Sequence, residues 1–372
     1  MKLSFYRVIK KIKNSKGGIK MKRVKLLVFM FLIALFVLVA CSEDSTGPGN
    51  DNQLKGTYSM SVFGAQQENN ATLTDIWTDI VTLSFDGNVS GEILEISGVS
   101  VAETFTYSVD SSGKIIFDET GRGITTADGE IFTIISNGDN DSNFGQFVGM
   151  KKSEGLSNSV LTGDYMMTVF GANQLIEVPV ADVWTDYVTL SFDGSGNCQI
   201  LEISGVSSSE SFSYSVNDDG ILLFAETDTG IVNNAGDFFT VASESNSATG
   251  GVNYSQYVGI KKSENLSSSI LIGTYIASIF GMKQENDSEV TDVWADIITM
   301  TFDGNGSGQI TEISGNSTSY PFIYSVESDG TFIFEGTDYG VVSADGKKFT
   351  LVSGTTFGRE DVDFIQYVGL KQ

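Results

Sequence analysis

Beyond residue 54 the chain alternates apolar and polar positions with a period of two. Phe105, Tyr107 and Val109 fall on one face of an extended segment, and Thr106 and Ser108 on the other. The pattern returns as Phe212, Tyr214 and Val216 and again as Phe322, Tyr324 and Val326, while Val81, Leu83 and Phe85 share a face against Thr82 and Ser84. One apolar and one polar face predict sheets covered on one side only, as in antiparallel meanders. Asp-Gly pairs at Asp86-Gly87, Asp128-Gly129, Asp219-Gly220 and Asp345-Gly346 predict tight hairpins. In the first stretch this reading gives eight short strands, at about 56–63, 79–86, 91–97, 103–109, 114–118, 122–126, 130–136 and 144–151.

The stretch is one of three copies. Asp75-Ile76-Trp77-Thr78-Asp79 returns as Asp182-Val183-Trp184-Thr185-Asp186 and as Asp292-Val293-Trp294-Ala295-Asp296. These are all three tryptophans of the chain, 107 (184 − 77) and 110 (294 − 184) residues apart. A period of that size is a duplicated domain, since solenoid repeats run about 20–50 residues. The copies open alike at Leu54-Lys55-Gly56-Thr57-Tyr58, Leu161-Thr162-Gly163-Asp164-Tyr165 and Leu271-Ile272-Gly273-Thr274-Tyr275. They close alike at Gln146-Phe147-Val148-Gly149, Gln256-Tyr257-Val258-Gly259 and Gln366-Tyr367-Val368-Gly369. Repeat boundaries of 54–153, 161–263 and 271–372 follow. The matching linkers that begin at Lys151-Lys152 and Lys261-Lys262 imply a repeated geometry between neighbours, with the lysines ending a strand in solvent.

Eight sequential hairpin-linked strands in roughly 100 residues, with no helical period, predict an all-β fold of three tandem antiparallel up-and-down barrels. Leu-x-Gly-x-Tyr at the head of each meander resembles the small lipocalin-like barrels of bacterial lipoproteins, and that resemblance implies an interior able to hold a small apolar ligand. An array of β-sandwiches is the alternative architecture.

Residues 1–40 differ from the rest: they carry ten Lys and Arg and no acid, and the apolar run Leu26–Ala40 ends at Cys41. The run is shorter than the roughly 20 residues a bilayer span needs and fits the apolar region of a secretory signal helix. Leu38-Val39-Ala40-Cys41 resembles a bacterial lipobox, which implies cleavage before Cys41 and acylation there. An uncleaved N-terminal anchor is the other reading. Met21 is an alternative start. Residues 41–53 read as a disordered polar tether, and its Ser42-Glu43-Asp44 resembles the surface-export signals of some Gram-negative lipoproteins. Together these place the protein in the cell envelope, lipid-anchored to the outer membrane.

Charge narrows the partners. Without residues 1–40 the chain keeps 12 basic (22 − 10) and 47 acidic side chains, a net charge near −35. Such a surface repels nucleic acid and anionic lipid, leaving the acyl chains on Cys41 as the membrane contact. With Cys41 given to lipid, Cys198 has no partner for a disulfide, and histidine is absent throughout. No Ser-His-Asp or Cys-His machinery exists, and the chain reads as non-enzymatic, without cofactor or metal.

Three sets of residues are ligand-site candidates because they recur. The first is Trp77, Trp184 and Trp294 with Asp75, Asp79, Asp182, Asp186, Asp292 and Asp296, expected as a loop at the barrel mouth. The second is Glu95, Glu202 and Glu312, which alternate with Ile93, Ile200 and Ile310 and so share an apolar face. The third is Gln146, Gln256 and Gln366, set between apolar residues either inside a barrel or on a partly apolar outer face. The turn beginning at Asp303-Gly304-Asn305-Gly306 has the front half of a calcium loop but no twelfth-position acid, and reads as a hairpin turn. Cys198 stands in a loop position held by Gly in the other copies. The resulting expectation is a set of tandem binding modules for small apolar ligands or a surface partner, or else a ligand-free surface spacer.

Overall fold

A computed structural model describes residues 54–67, 73–118, 120–137, 143–175, 180–246, 251–285, 290–354 and 361–372. The expected signal helix, Cys41 and the expected tether lie outside them. The described chain forms three closed antiparallel barrels. Barrel 1 consists of β1 (Lys55–Gln67), β2 (Leu73–Asp86), β3 (Ser90–Ile96), β4 (Val99–Val109), β5 (Lys114–Phe117), β6 (Gly121–Thr125), β7 (Ile131–Asn137) and β8 (Asn143–Lys151). Barrel 2 runs through β9 (Thr162–Leu175), β10 (Val180–Asp193), β11 (Asn197–Ile203), β12 (Val206–Ser207), β13 (Ser211–Val216), β14 (Ile221–Phe224), β15 (Asp228–Val232), β16 (Phe238–Asn246) and β17 (Gly251–Lys261). Barrel 3 has β18 (Ile272–Glu285), β19 (Val290–Asp303), β20 (Ser307–Ile313), β21 (Asn316–Val326), β22 (Thr331–Phe334), β23 (Asp338–Val342), β24 (Lys348–Ser353) and β25 (Asp361–Lys371). Each strand pairs with its sequence neighbour, except that β12 and β13 both pair with β11, and the last pairs with the first, β1 with β8, β9 with β17 and β18 with β25.

Barrel 2 closes through β10 and β11, and its fourth strand is split into β12 and β13. A local cause is at hand. Gly91 and Gly308 give their place to the rings of Phe105 and Phe322, where any Cβ would collide. Barrel 2 has buried Cys198 at that position instead, and its Phe212 is only half-buried where Phe105 and Phe322 are buried. Cys198 is thus a core residue of barrel 2, not a loop residue.

One end of each barrel, the base, is closed by two tyrosines. The Leu-x-Gly-x-Tyr tyrosines donate to a turn carbonyl, Tyr58 to Gly129 at 2.7 Å, Tyr165 to Gly236 and Tyr275 to Gly346. Tyr107, Tyr214 and Tyr324 donate to the carbonyls of Leu54, Leu161 and Leu271 at 2.9, 3.1 and 3.0 Å. Above them the interiors are packed with rings. Phe85 of barrel 1 touches Tyr58, Phe105, Tyr107 and Phe132 at centroid separations of 4.8–5.7 Å. Phe192 and Phe302 hold the same place in barrels 2 and 3.

The three barrels form a ring. In barrel 1, even residues of β1 (Tyr58, Met60, Val62) face the interior, while Ser59, Ser61, Phe63 and Ala65 face outward yet are also buried. What buries them is the next barrel: β1 and β2 pack on β15–β17, β9 and β10 on β23–β25, and β18 and β19 on β6–β8. One-sided covering therefore holds for the outer wall, β3 to β5, but not for the strands at the seams. Phe63, Phe170 and Phe280 meet where the seams converge, with centroid separations of 5.1, 5.3 and 5.3 Å in near-edge-on geometry. The three rings mark a pseudo-threefold axis.

Each linker leaves one base and joins the next. Leu156 packs against the core of barrel 2 and Leu266 against that of barrel 3. Lys152 pairs with Asp219 at 2.7 Å and Lys262 with Asp329 at 2.5 Å. These lysines bridge neighbours and do not merely end a strand. All three bases lie on one side of the ring, since seam contacts join base to base and rim to rim. At the rims Gln174 reaches Thr74, Gln284 reaches Val183 and Gln67 reaches Thr291.

Candidate functional site

The Asp-x-Trp-x-Asp blocks lie in strands, not in loops. Residues 75–79, 182–186 and 292–296 are paired without a break to β1, β9 and β18. Alternation sets the two acids and the tryptophan on the inner face, above the level at which the β3–β4 hairpin ends. Trp77 lies across Gly64, Trp184 across Gly171 and Trp294 across Gly281, and a Cβ at any of these glycines would collide with indole Cε2, Cζ2 and Nε1. The indole thereby lies against the inner side of the β1–β2 ribbon. Trp77 Nε1 is buried and has no acceptor among the described residues, so packing alone seats the ring.

The second aspartate of each block has a structural partner. Ser97 donates to Asp79 at 2.5 Å, Ser204 to Asp186 at 2.8 Å, and Ser314 to Asp296. Those serines are left-handed (φ 44°, 45° and 46°), each followed by a glycine at φ 80–83°, the geometry of a tight primed hairpin turn. The turn amide also donates to the strand beside it, Ser97 to Ile80 O at 2.8 Å. The aspartate thus fastens the β3–β4 hairpin to the ribbon that carries the tryptophan. Burial pushes the Asp186 carboxyl above its ordinary value, opposed by the Ser204 hydroxyl. The first aspartates diverge: Asp75 is buried, while Asp182 and Asp292 are exposed. Four residues of extended chain put the two acids of a block roughly 13 Å apart, too far to grip one ion. Among the described residues no group of three or more acidic or thiol side chains converges on a metal-sized space.

Glu95, Glu202 and Glu312 do not share the face of the preceding isoleucine. One extra residue (Leu94, Leu201 or Thr311) bulges out of the third strand and shifts the register, so that Ile96 returns inward. Glu95 is exposed, Glu202 and Glu312 are half-buried, and Glu312 pairs with Lys114 of barrel 1 at 3.3 Å. Gln146, Gln256 and Gln366 face outward and are buried at the seams. Gln146 donates to Ser278 Oγ at 3.0 Å, Gln256 to Ser61 Oγ at 2.8 Å and Gln366 to Thr168 Oγ1 at 3.1 Å. Each amide oxygen is left without a donor among the described residues. Asp86, Asp193 and Asp303 spend their carboxylates on their own turns; Asp303 accepts from Asn305 N at 2.7 Å and Ser307 N at 2.9 Å. These bonds hold the three carboxyls below the ordinary range, with the Ser195 side chain the largest cause at Asp193.

Sequence reasoning missed a difference between the barrels. In barrel 1 a cavity of about 20 Å³ lies near the rim, lined by Met60, Phe117, Gly121, Ile134, Ser136 and Phe147 among others. That is room for about one water molecule. Barrels 2 and 3 carry Asp228 with Tyr257 and Asp338 with Tyr367 where barrel 1 has Gly121 and Phe147. Burial pushes Asp338 up to about 6 and raises Asp228. A paired exchange of Gly–Phe for Asp–Tyr between copies was visible in the sequence, although the shared space was not.

No protein-family model matches the chain, and no curated protein matches its sequence. Among solved structures it is similar to a double mutant of transferrin binding protein B from Haemophilus parasuis Hp5, at 7% identity and a TM-score of 0.29, over 84% of this chain and 75% of that one. It is also similar to isotype 1 transferrin binding protein B from serogroup B Neisseria meningitidis, at 10% identity and a TM-score of 0.28, over 86% and 77% of the two chains.

Proposed function

We propose that the protein is a non-enzymatic, lipid-anchored component of the cell envelope that offers the rim of its three-barrel ring to a macromolecular surface partner. The observation that carries this reading is the filling of the barrels. Each interior is occupied by its own Phe and Tyr rings, and the barrel 1 cavity holds no more than a water molecule. An apolar ligand would need several hundred Å³. Binding therefore belongs to the outside.

The tether's point of attachment supports the rim over the base. Leu54, where the tether joins, lies at the base beside Tyr107. An acyl group on Cys41 would set the base toward the bilayer and leave the rim outward. Three equivalent rims on one rigid body can raise avidity for a repetitive partner.

The test is site-directed crosslinking in intact cells. Exposed Thr74 at the rim and exposed Ser111 at the base are each changed to Cys and loaded with a photocrosslinker, buried Cys198 staying silent. Adducts from Thr74→Cys and not from Ser111→Cys are expected. Adducts from neither, with the protein still membrane-bound, would favour the ligand-free spacer. Saturable uptake of a fluorescent fatty acid by the purified ring would restore the small-ligand reading.

A further inference from the structure

We infer that each repeat carries on its own surface a complete docking interface for another copy of the same repeat, and that the linkers are not what holds the ring together. The interface has two unlike halves. One is the outer side of the first two strands, with Ser61 and Phe63 in barrel 1. The other is the outer side of the last two, with Thr133 and Gln146. Each seam joins the first half of one barrel to the second half of the next. Ser61 meets Thr240, Thr168 meets Thr350 and Ser278 meets Thr133, each hydroxyl pair at 2.5 Å. The Gln of the second half donates to the same hydroxyl at all three seams.

The third seam decides the point. Barrels 1 and 2 are joined by a linker, as are barrels 2 and 3, but no linker crosses from barrel 3 back to barrel 1. That seam nonetheless has the same hydroxyl pair, the same glutamine bond and the same Phe contact, Phe63 to Phe280 at 5.3 Å. A seam that forms without a covalent connection does not depend on one. A head-to-tail interface either closes a ring or runs on as a filament, and here the rotation closes after three copies. At each of the two seams they cross the linkers add an ion pair, one leucine and a backbone hydrogen bond. Ion pairs outside the linkers are Lys348–Asp237 between barrels 3 and 2 and Lys114–Glu312 at the free seam.

The full chain tests this after it has folded. A protease recognition sequence is inserted between Glu154 and Gly155 and another between Glu264 and Asn265, exposed turn positions where added length costs little. Both linkers are cut in the native protein, and the product is weighed by native mass spectrometry and size-exclusion chromatography at micromolar concentration. The expected result is one particle holding all three fragments, with unchanged near-ultraviolet dichroism. The same cuts in a Phe170→Asp chain, first checked to be folded, should release the barrel 2 fragment. Separate barrels from the doubly cut wild-type chain would overturn the inference, as would a particle that Phe170→Asp leaves intact.

Discussion

Removing rings from the pseudo-threefold axis should show energies that do not add. Phe63, Phe170 and Phe280 are each buried, and each touches the other two at 5.1–5.3 Å. A change to Leu keeps an apolar side chain and deletes two ring–ring contacts. With about 0.5–1.5 kcal/mol for each aromatic pair, a single Phe→Leu variant loses about 1–3 kcal/mol. A second Phe→Leu change finds one of its two contacts already gone. The double variant should therefore lose less than the sum of the singles by one pair, about 0.5–1.5 kcal/mol, whichever two positions are taken. The three pairwise cycles should agree within error, because the three separations do. Guanidinium unfolding curves for three singles and three doubles supply the numbers, read by Trp emission and far-ultraviolet dichroism together. Additivity in all three cycles would refute a common hub, and coupling in only one would refute the threefold arrangement.

Four further outcomes follow from the same geometry. Gly171→Ala should destabilise by about 1–3 kcal/mol and shift Trp184 emission, because the new Cβ must push the indole away; unchanged emission would contradict the seating of the ring. Ser97→Ala should cost about 1 kcal/mol through the lost bond to Asp79, measured by thermal melting, and a neutral result would return Asp79 to the list of unexplained residues. Asp338, with a folded value near 6 above an unfolded value of 3.8, binds its proton more tightly in the native state. Its contribution is thus intact below about pH 4 and is lost as pH rises toward 6. Partial exposure limits the loss to about 1 kcal/mol, and Asp338→Asn should flatten that part of the stability–pH curve. Finally, Cys41→Ser should move the protein from the membrane to the soluble fraction, and persistence at the membrane would refute acyl anchoring.

The barrel was legible because its outer wall obeys a simple rule. Phe105, Tyr107 and Val109 alternate with exposed Thr106 and Ser108, and the Asp-Gly turns fall where the strands end. Two of the differences arose where that rule is broken locally. A bulge at Leu94 inverts the face of Glu95, and nothing in the alternation announces the extra residue. On β2, Ile76 and Ile80 pack toward a neighbouring barrel while Trp77 and Val81 pack inward, which hides the period and makes the block read as a loop. The ring itself left a trace in the first strand, where Met60 to Ala65 are buried on both faces. Strands buried on both faces read as near-continuous apolar runs. Interleaved Ser59, Ser61 and Gly64 broke the run, since a seam built on serine hydroxyls looks like a solvent face.

Three copies in one polypeptide also change the dose of a mutation. In an assembly of identical chains every substitution arrives three times, once per seam, and an ion pair gained at one seam is imposed on all. Here Glu312 meets Lys114, while the corresponding positions set Glu95 against Ile221 and Glu202 against Thr331. Cys198 burdens one barrel and spares two. Fusion has thus made each seam and each interior separately adjustable, and the molecule carries two unaltered copies against which any change in the third can be measured.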